Sequence, residues 1–273
     1  MNSDNPQSPL LQRRELLAGG GSLLGGAMVA GQAVSQVQAR PDRVRHYVLA
    51  THDRDFVCDQ IYEFLGLAPT PKPPGPGTTE KYGFYSTMMR VGGTMLEIVQ
   101  PIKPDHHLNG WLAERGGDGG YMVVMQNFDA AALKARAAQE NLKLTRDQMF
   151  LGQHMIQFDY KRFGTHFETY QYSPEDDWWG NPLTGPYSDA RVASDVVGGE
   201  VAVENPQEIA AQVARLFKGG TPDGDGVRFG DKKINFVPSD GQWRGLVALD
   251  LKAREARRVG DWARIGGVKF RLV

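Results

Sequence analysis

One cysteine in 273 residues, Cys58, rules out an intramolecular disulfide and any zinc cluster built from several thiolates. Cys58 shares a helical pattern with Ile61, Tyr62 and Leu65, which makes it a core residue rather than a nucleophile. A charge surplus is missing as well. Lys and Arg number 31 against 32 Asp and Glu, a net charge of -1, so nothing in the chain suits a nucleic-acid partner. No undiluted apolar run of membrane-spanning length occurs, because glycines interrupt the only long apolar stretch, which ends near Gly31. What remains, 41% hydrophobic and 23% charged residues, is the composition expected of a soluble globular chain.

Residues 1–39 have the layout of an export signal rather than of a folded element. A polar start leads to Arg13-Arg14 and Glu15-Leu16-Leu17, then a Gly- and Ala-rich apolar region, then Val37-Gln38-Ala39 as a small-residue cleavage site. Such a twin-arginine signal implies passage through the Tat translocation machinery to the periplasm. It predicts a released chain starting near Arg40 with no stable membrane anchor. Export of already folded protein fits a metal site assembled before translocation.

The stretch from Gly93 to Pro101 places one ionisable residue, Glu97, inside an otherwise apolar strand. Alternation puts Met95, Glu97 and Val99 on one face and Leu96, Ile98 and Gln100 on the other. A carboxylate on a buried face needs a cation, a donor or water. Upstream, Val44 to Thr51 reads as a strand with Val44, His46, Val48 and Ala50 sharing a face. The pattern then recurs: Tyr121 to Phe128 and Thr165 to Tyr170 read as strands, the second centred on Glu168. His46 stands seven residues before Asp53, and Met122 seven before Asp129, each Asp opening a helical pattern. This is an internal duplication, altered at Met122.

The order strand, helix, further strands, twice over, resembles the vicinal oxygen chelate superfamily, which includes glyoxalases, bleomycin-resistance proteins and extradiol dioxygenases. The text that carries the likeness is VRHYVLATHD, FLGL, GGTMLEIVQP, GGYMVVMQNFD and HFETYQY, spanning roughly residues 44 to 174. The resemblance implies an α+β fold: repeated βαβββ modules forming a curved mixed sheet around a cleft. It also implies metal ligands at His46, Glu97 and Glu168, with Met122 where a second imidazole is expected and His166 as a substitute. One imidazole and two carboxylates suit Fe, Mn, Zn or a similar divalent ion. Glu97 and Glu168 are the catalytic carboxylates on this reading.

Alternation predicts that Tyr47, Leu49, Leu96 and Ile98 pack under the first helix, and Tyr121, Val123, Met125, Phe167 and Thr169 under the second. The cleft then receives His46, Val48, Glu97, Met122, Gln126, His166, Glu168 and Tyr170, of which Met122, Gln126 and Tyr170 are candidate substrate contacts. The first helix runs from an Asp53 cap to Leu65 with Phe56, Val57, Ile61 and Phe64 in its apolar stripe, and Gly66 ends it. Residues 68–79 form a Pro-rich loop. Glu80 to Val91 and Met155 to Phe163 read as strands. His106-His107 is a poor chelate in an extended segment, because adjacent side chains point apart.

A Pro/Gly-rich linker, 176–192, carries Trp178-Trp179 and separates the paired modules at 40–175 from a degenerate region at 193–273. There a third copy is legible: a strand at Val196 to Val203, a helix from Pro206 to Phe217, and VRFGDKKINFVP as a hairpin with Asn235 in the Glu97 position. GLVALDLKAR and GGVKFRLV form a shortened fourth copy with no comparable helix. Two functions are consistent with these residues. One is a periplasmic metal-dependent lyase, isomerase or, if His166 joins the ligands, dioxygenase acting on a small molecule with vicinal oxygens. The other is a metal-free protein that binds or sequesters a small molecule.

Overall fold

The structure, a computed structural model, describes residues 40–67, 79–173, 190–239, 241 and 245–273. The export segment 1–39, positions 68–78 of the Pro-rich loop, Trp178-Trp179 and positions 176–189 of the linker lie outside the described residues.

Asp53 opens the first helix, α1 (Arg54–Leu65), by accepting from the Phe56 amide, and Gly66 closes it in the left-handed conformation at φ 64°. The helix buries Val57, Cys58, Ile61 and Leu65, and burial pushes the Cys58 thiol up to about 12. Phe56 does not join that stripe: it is 60% exposed, because the buried positions 57, 58, 61 and 65 define a face that residue 56 precedes by a hundred degrees. Among the described residues no helix is long and apolar enough to cross a membrane.

Seven strands form the first half of the sheet: β1 (Arg43–Ala50), β2 (Phe84–Val91), β3 (Thr94–Pro101), β4 (Gly119–Gln126), β5 (Leu144–Phe150), β6 (Gln153–Phe158) and β7 (His166–Gln171). Their spatial order is β2-β3-β1-β4-β7-β6-β5, with β1 parallel to β3, antiparallel to β4, and β4 parallel to β7. The expected strand at 80–91 begins as a 3-10 turn at Glu80–Tyr82, and the expected strand at 155–163 ends at Phe158. There Asp159 caps a single turn, α4 (Tyr160–Phe163), which leaves Phe163 buried. Two longer helices precede it: α2 (His107–Arg115), between β3 and β4, and α3 (Ala130–Gln139), capped by Asp129.

The second half repeats this order. It comprises β8 (Ala193–Val203), α5 (Pro206–Leu216), β9 (Thr221–Asp223), β10 (Gly226–Phe229), β11 (Lys232–Pro238), β12 (Gly245–Ala253), β13 (Trp262–Ile265) and β14 (Val268–Leu272). Here β8 is parallel to β11 and antiparallel to β12, and β12 is parallel to β14. A 3-10 turn at Ala256–Arg258 stands where the fourth module would have its helix. The two halves meet where Leu246 pairs with Gly120, and a Cβ on Gly120 would run into the Leu246 carbonyl. The expectation of two full modules, a degenerate third and a partial fourth describes this α+β architecture.

Two bulges are shared by the halves. Arg45 is the extra residue between the pairs Val44/Met125 and His46/Val124, and Val197 holds the same place between Val196/Leu251 and Gly198/Asp250. Tyr121 is extra between Val48/Met122 and Leu49/Gly120, and Val247 between Glu200/Ala248 and Val201/Leu246. Each bulge reverses the alternation beyond it. Val44 therefore lies in the helix-side core with Tyr47, Leu49, Leu96, Ile98, Val123, Met125 and Phe167, not beside His46. Tyr121, expected under α3, instead joins Val48, Met122, Val124 and Tyr170 on the opposite, concave face.

Candidate functional site

On the concave face His46 and Glu97 reach each other from neighbouring strands, with Nε2 to Oε2 at 3.3 Å. They are diagonal rather than directly opposed, since His46 pairs with Met95 and Glu97 with Val48. Ser86 on β2 donates to the other Glu97 oxygen at 2.6 Å. Glu97 thus has an imidazole on one oxygen and a hydroxyl on the other. His46 is 2% exposed, so the pair is solvated only from the glutamate side, which is 18% exposed.

Glu168 lies two strands from His46, through the pairs His46/Val124 and Val124/Glu168. Burial raises its carboxyl pKa; bonds from Tyr170 and Gln157 and the His46 imidazole act downward, and the Glu97 charge acts upward. Glu168 therefore feels both of the other predicted ligands. Tyr170 donates to Oε1 and Gln157 to Oε2, each at 2.8 Å. These two donors were not legible in the sequence, although Gln157 does fall on the same alternation as Met155.

Met122 is 9% exposed in the apolar cluster formed with Val48, Met95 and Val124. His166 pairs laterally with Met122, but its ring sits edge-on to Tyr121 at 5.0 Å and tilted against Tyr160 at 4.9 Å. Burial lowers its pKa to about 4, with the His107 and Arg146 charges adding to the effect and a backbone bond at Phe158 opposing it. Gln126 is fully buried at the end of β4 and accepts from Arg43 at 2.9 Å. Arg162, a conceivable partner for the site carboxylates, turns instead to Glu208 and Gln212.

The helix α2 lies over the same face, with Leu108 and Leu112 buried in the concave-side cluster. His106 and His107 lie at the rim with their rings 4.2 Å apart, not pointing away from each other as an extended segment would have them, because His107 opens α2: His106 accepts from the Leu108 amide as the helix cap, and the ring of the exposed His107 bonds the Tyr121 hydroxyl at 3.2 Å. Phe84, Trp111 and Phe150 are half-buried around this rim.

The second half carries different groups at the equivalent positions. Register places Gly198 at the position of His46, Asn235 at that of Glu97, Ala248 at that of Met122 and Arg271 at that of Glu168. Arg271 holds Glu200 at 2.8 Å and Asp250 at 2.6 Å. An open groove of about 480 Å³ adjoins it, lined in part by Asp250, Trp262 and Lys269. In this cluster the carboxylates already share a cation, whereas in the His46, Glu97 and Glu168 group a histidine is the partner.

As donors, one imidazole and two carboxylates fit a divalent ion. The outer bonds from Ser86, Gln157 and Tyr170 fit too, since metal-ligating carboxylates are ordinarily held by such donors. As they stand, the described residues include no three His, Cys, Asp or Glu side chains close enough to clasp one ion.

No protein-family model matches the chain, and no curated protein matches it. Solved structures do. A hypothetical protein from Staphylococcus aureus aligns over 85% of this chain and 99% of its own, at 13% identity and a TM-score of 0.61. A triple mutant of 4-hydroxymandelate synthase from Streptomyces coelicolor aligns over 79% of this chain and 72% of its own, at 18% identity and a TM-score of 0.55. Methylmalonyl-CoA epimerase from Mycobacterium tuberculosis aligns over 47% of this chain and 86% of its own, at 15% identity and a TM-score of 0.39. At such identities the likeness is one of fold: the four-module sheet described above is an architecture this chain has in common with the first two.

Proposed function

We propose that the chain is a periplasmic, metal-dependent enzyme of the glyoxalase and dioxygenase type, acting on a small molecule with vicinal oxygens. The observation that carries the proposal is that strand register sets His46, Glu97 and Glu168 on one face, with His46 Nε2 3.3 Å from Glu97 Oε2. Three such groups without an internal cation are costly to bury, and a divalent ion would offset that cost. His46, Glu97 and Glu168 would hold it, once the Glu168 side chain is drawn toward the other two. The ion would supply Lewis-acid polarisation of the substrate oxygens.

The remaining work falls to the chain. Ser86 fixes the orientation of Glu97, and Gln157 and Tyr170 each hold one oxygen of Glu168. A carboxyl whose pKa is raised by burial is suited to take a proton from a carbon next to a carbonyl and to return it. Leu108, Leu112, Met122 and Val124 keep water from that face. A lyase or isomerase needs only these parts. An extradiol dioxygenase would require His166 as a second imidazole, and its ring contacts with Tyr121 and Tyr160 speak for the lyase or isomerase.

The second reading, a metal-free binding protein, is favoured by Met122 in the second imidazole position and by the spacing of the three ligands. Elemental analysis of protein isolated from the periplasm separates the two. The enzyme reading expects close to one divalent ion per chain, lost in His46→Ala. Ion-free protein that still binds ligands, indifferent to that substitution, would establish the binder.

A further inference from the structure

Resting on the reading of the concave face as the ligand site, we propose that Arg146 recognises a carboxylate on the bound molecule, so that the substrate is a small monoanion with an apolar or aromatic body. Arg146 lies on β5, in one lateral line with the site: it pairs with Gln157, which pairs with Glu168, which pairs with Val124, which pairs with His46. Two strand spacings separate it from Glu168, about 10 Å, a span that a guanidinium and one ring-sized ligand bridge together.

A bulge sets its direction. Thr145 is the extra residue between Leu144/Phe158 and Arg146/Gln157, and its hydroxyl is tied to the Gln157 carbonyl at 3.1 Å. Leu144 packs against the helix-side core while Arg146 opens to the other face. Asp147, the neighbouring acid, points back to Lys134 and His154. Among the described residues Arg146 has no ion pair or hydrogen bond, although its charge is felt by His106, His107 and Tyr121 on the rim. Burial lowers His107 to about 4, with the His106 and Arg146 charges adding to it, so His107 adds no standing positive charge beside Arg146 at neutral pH.

An arginine fork matches a carboxylate bidentately. A dianionic phosphate would meet greater repulsion from Glu97 and Glu168, which favours the monoanion. The half-buried rings of Phe84, Trp111 and Phe150 supply the wall against which an apolar body would lie.

Calorimetric titration with catechol and with 3,4-dihydroxybenzoate tests this, because the probes share vicinal oxygens and differ by the carboxylate. Wild-type protein should prefer the acid by about tenfold or more, the usual worth of a charge-assisted bond. Arg146→Gln should erase the preference by weakening the acid alone, and Arg146→Lys should retain part of it. An equal affinity for both probes in the wild type, or a preference unchanged in Arg146→Gln, would overturn the inference. His46→Ala should weaken both probes alike; if it weakens neither while Arg146→Gln still acts, the vicinal-oxygen reading fails and the anion site stands. Absence of binding by either probe overturns both.

Discussion

Replacing Tyr170 by Phe removes one hydroxyl, the donor to Glu168 Oε1 at 2.8 Å, and leaves the Gln157 bond to Oε2 in place. The cost depends on whether Glu168 carries a charge. A bond to a neutral carboxyl is worth about 0.5–1.5 kcal/mol and one to a carboxylate about 1.5–3 kcal/mol. Burial raises the Glu168 pKa in the folded protein above its ordinary value, near 4.3 in an unfolded chain. For an acid shifted in this direction, the contribution to stability is fully present below the unfolded value and is lost as pH rises through the folded one. Apo protein, kept in chelator, should therefore lose stability as pH rises through that window. The penalty of Tyr170→Phe should grow from about 1 kcal/mol to about 2–3 kcal/mol over the same range. Each kcal/mol corresponds to about 2–4 °C in a chain of this size. Glu168→Gln removes the titration and should gain on the wild type as pH rises. Thermal and urea unfolding at a series of pH values read all three proteins. A Tyr170→Phe penalty that stays flat, together with a Glu168→Gln variant that shows the wild-type pH dependence, would refute the assignment of Glu168 as a buried titrating group.

Met122→His places a second imidazole beside His166, and it should raise divalent-ion affinity or change the preferred ion, read by competition with a chromogenic chelator. Unchanged metal content would mean that position 122 does not face the ion. Gly92→Ala should destabilise the fold by more than about 1 kcal/mol, because Gly92 has φ 61° and its Cβ would run into the Ser194 carbonyl; a melting temperature equal to wild type would contradict that packing. N-terminal sequencing of periplasmic protein should find a start near Arg40, and retention of the twin-arginine segment in the membrane fraction would count against export with cleavage.

The caps and turns of this fold were legible from single residues. Asp53, Asp129 and Gly66 each act where the sequence places them, because a short polar side chain or a missing Cβ is a local requirement. The opposed faces of β3 were also legible, since alternation over Leu96, Glu97 and Ile98 has no interruption. Alternation failed at Val44 and Tyr121, where bulges at Arg45 and Tyr121 shift the register. A bulge depends on how two strands pair, and no residue in RVRHYVLA announces it. Arg146 was missed for the same reason: in LTRDQMF it reads as one more exposed charge until the bulge at Thr145 and the pairing with Gln157 aim it at the site. Ser86, Gln157 and Tyr170 show the other limit. Their role as donors to the two carboxylates comes from contacts across strands, and sequence spacing alone does not encode those.

The shared bulges bear on which half carries chemistry. Because both halves keep the same two irregularities, side chains at equivalent positions point the same way, and their differences are differences of residue type rather than of geometry. In the second half, Arg271 at the Glu168 position bridges Glu200 and Asp250, so these half-buried carboxylates share a cation within the chain. In the first half, two carboxylates and one imidazole share a face, and among the described residues no Lys or Arg is paired to either carboxylate: Glu97 meets His46 and Ser86, and Glu168 meets Gln157 and Tyr170. If folding stability alone governed the two faces, the arrangement with its own cation would serve in both, since an uncompensated buried charge costs several kcal/mol. The cost is carried only where Glu97 and Glu168 stand. A cation or a proton supplied from outside the chain removes it, which ties binding at that face to the stability of the whole sheet and makes the first half, not the groove beside Arg271, the place where a ligand changes the protein most.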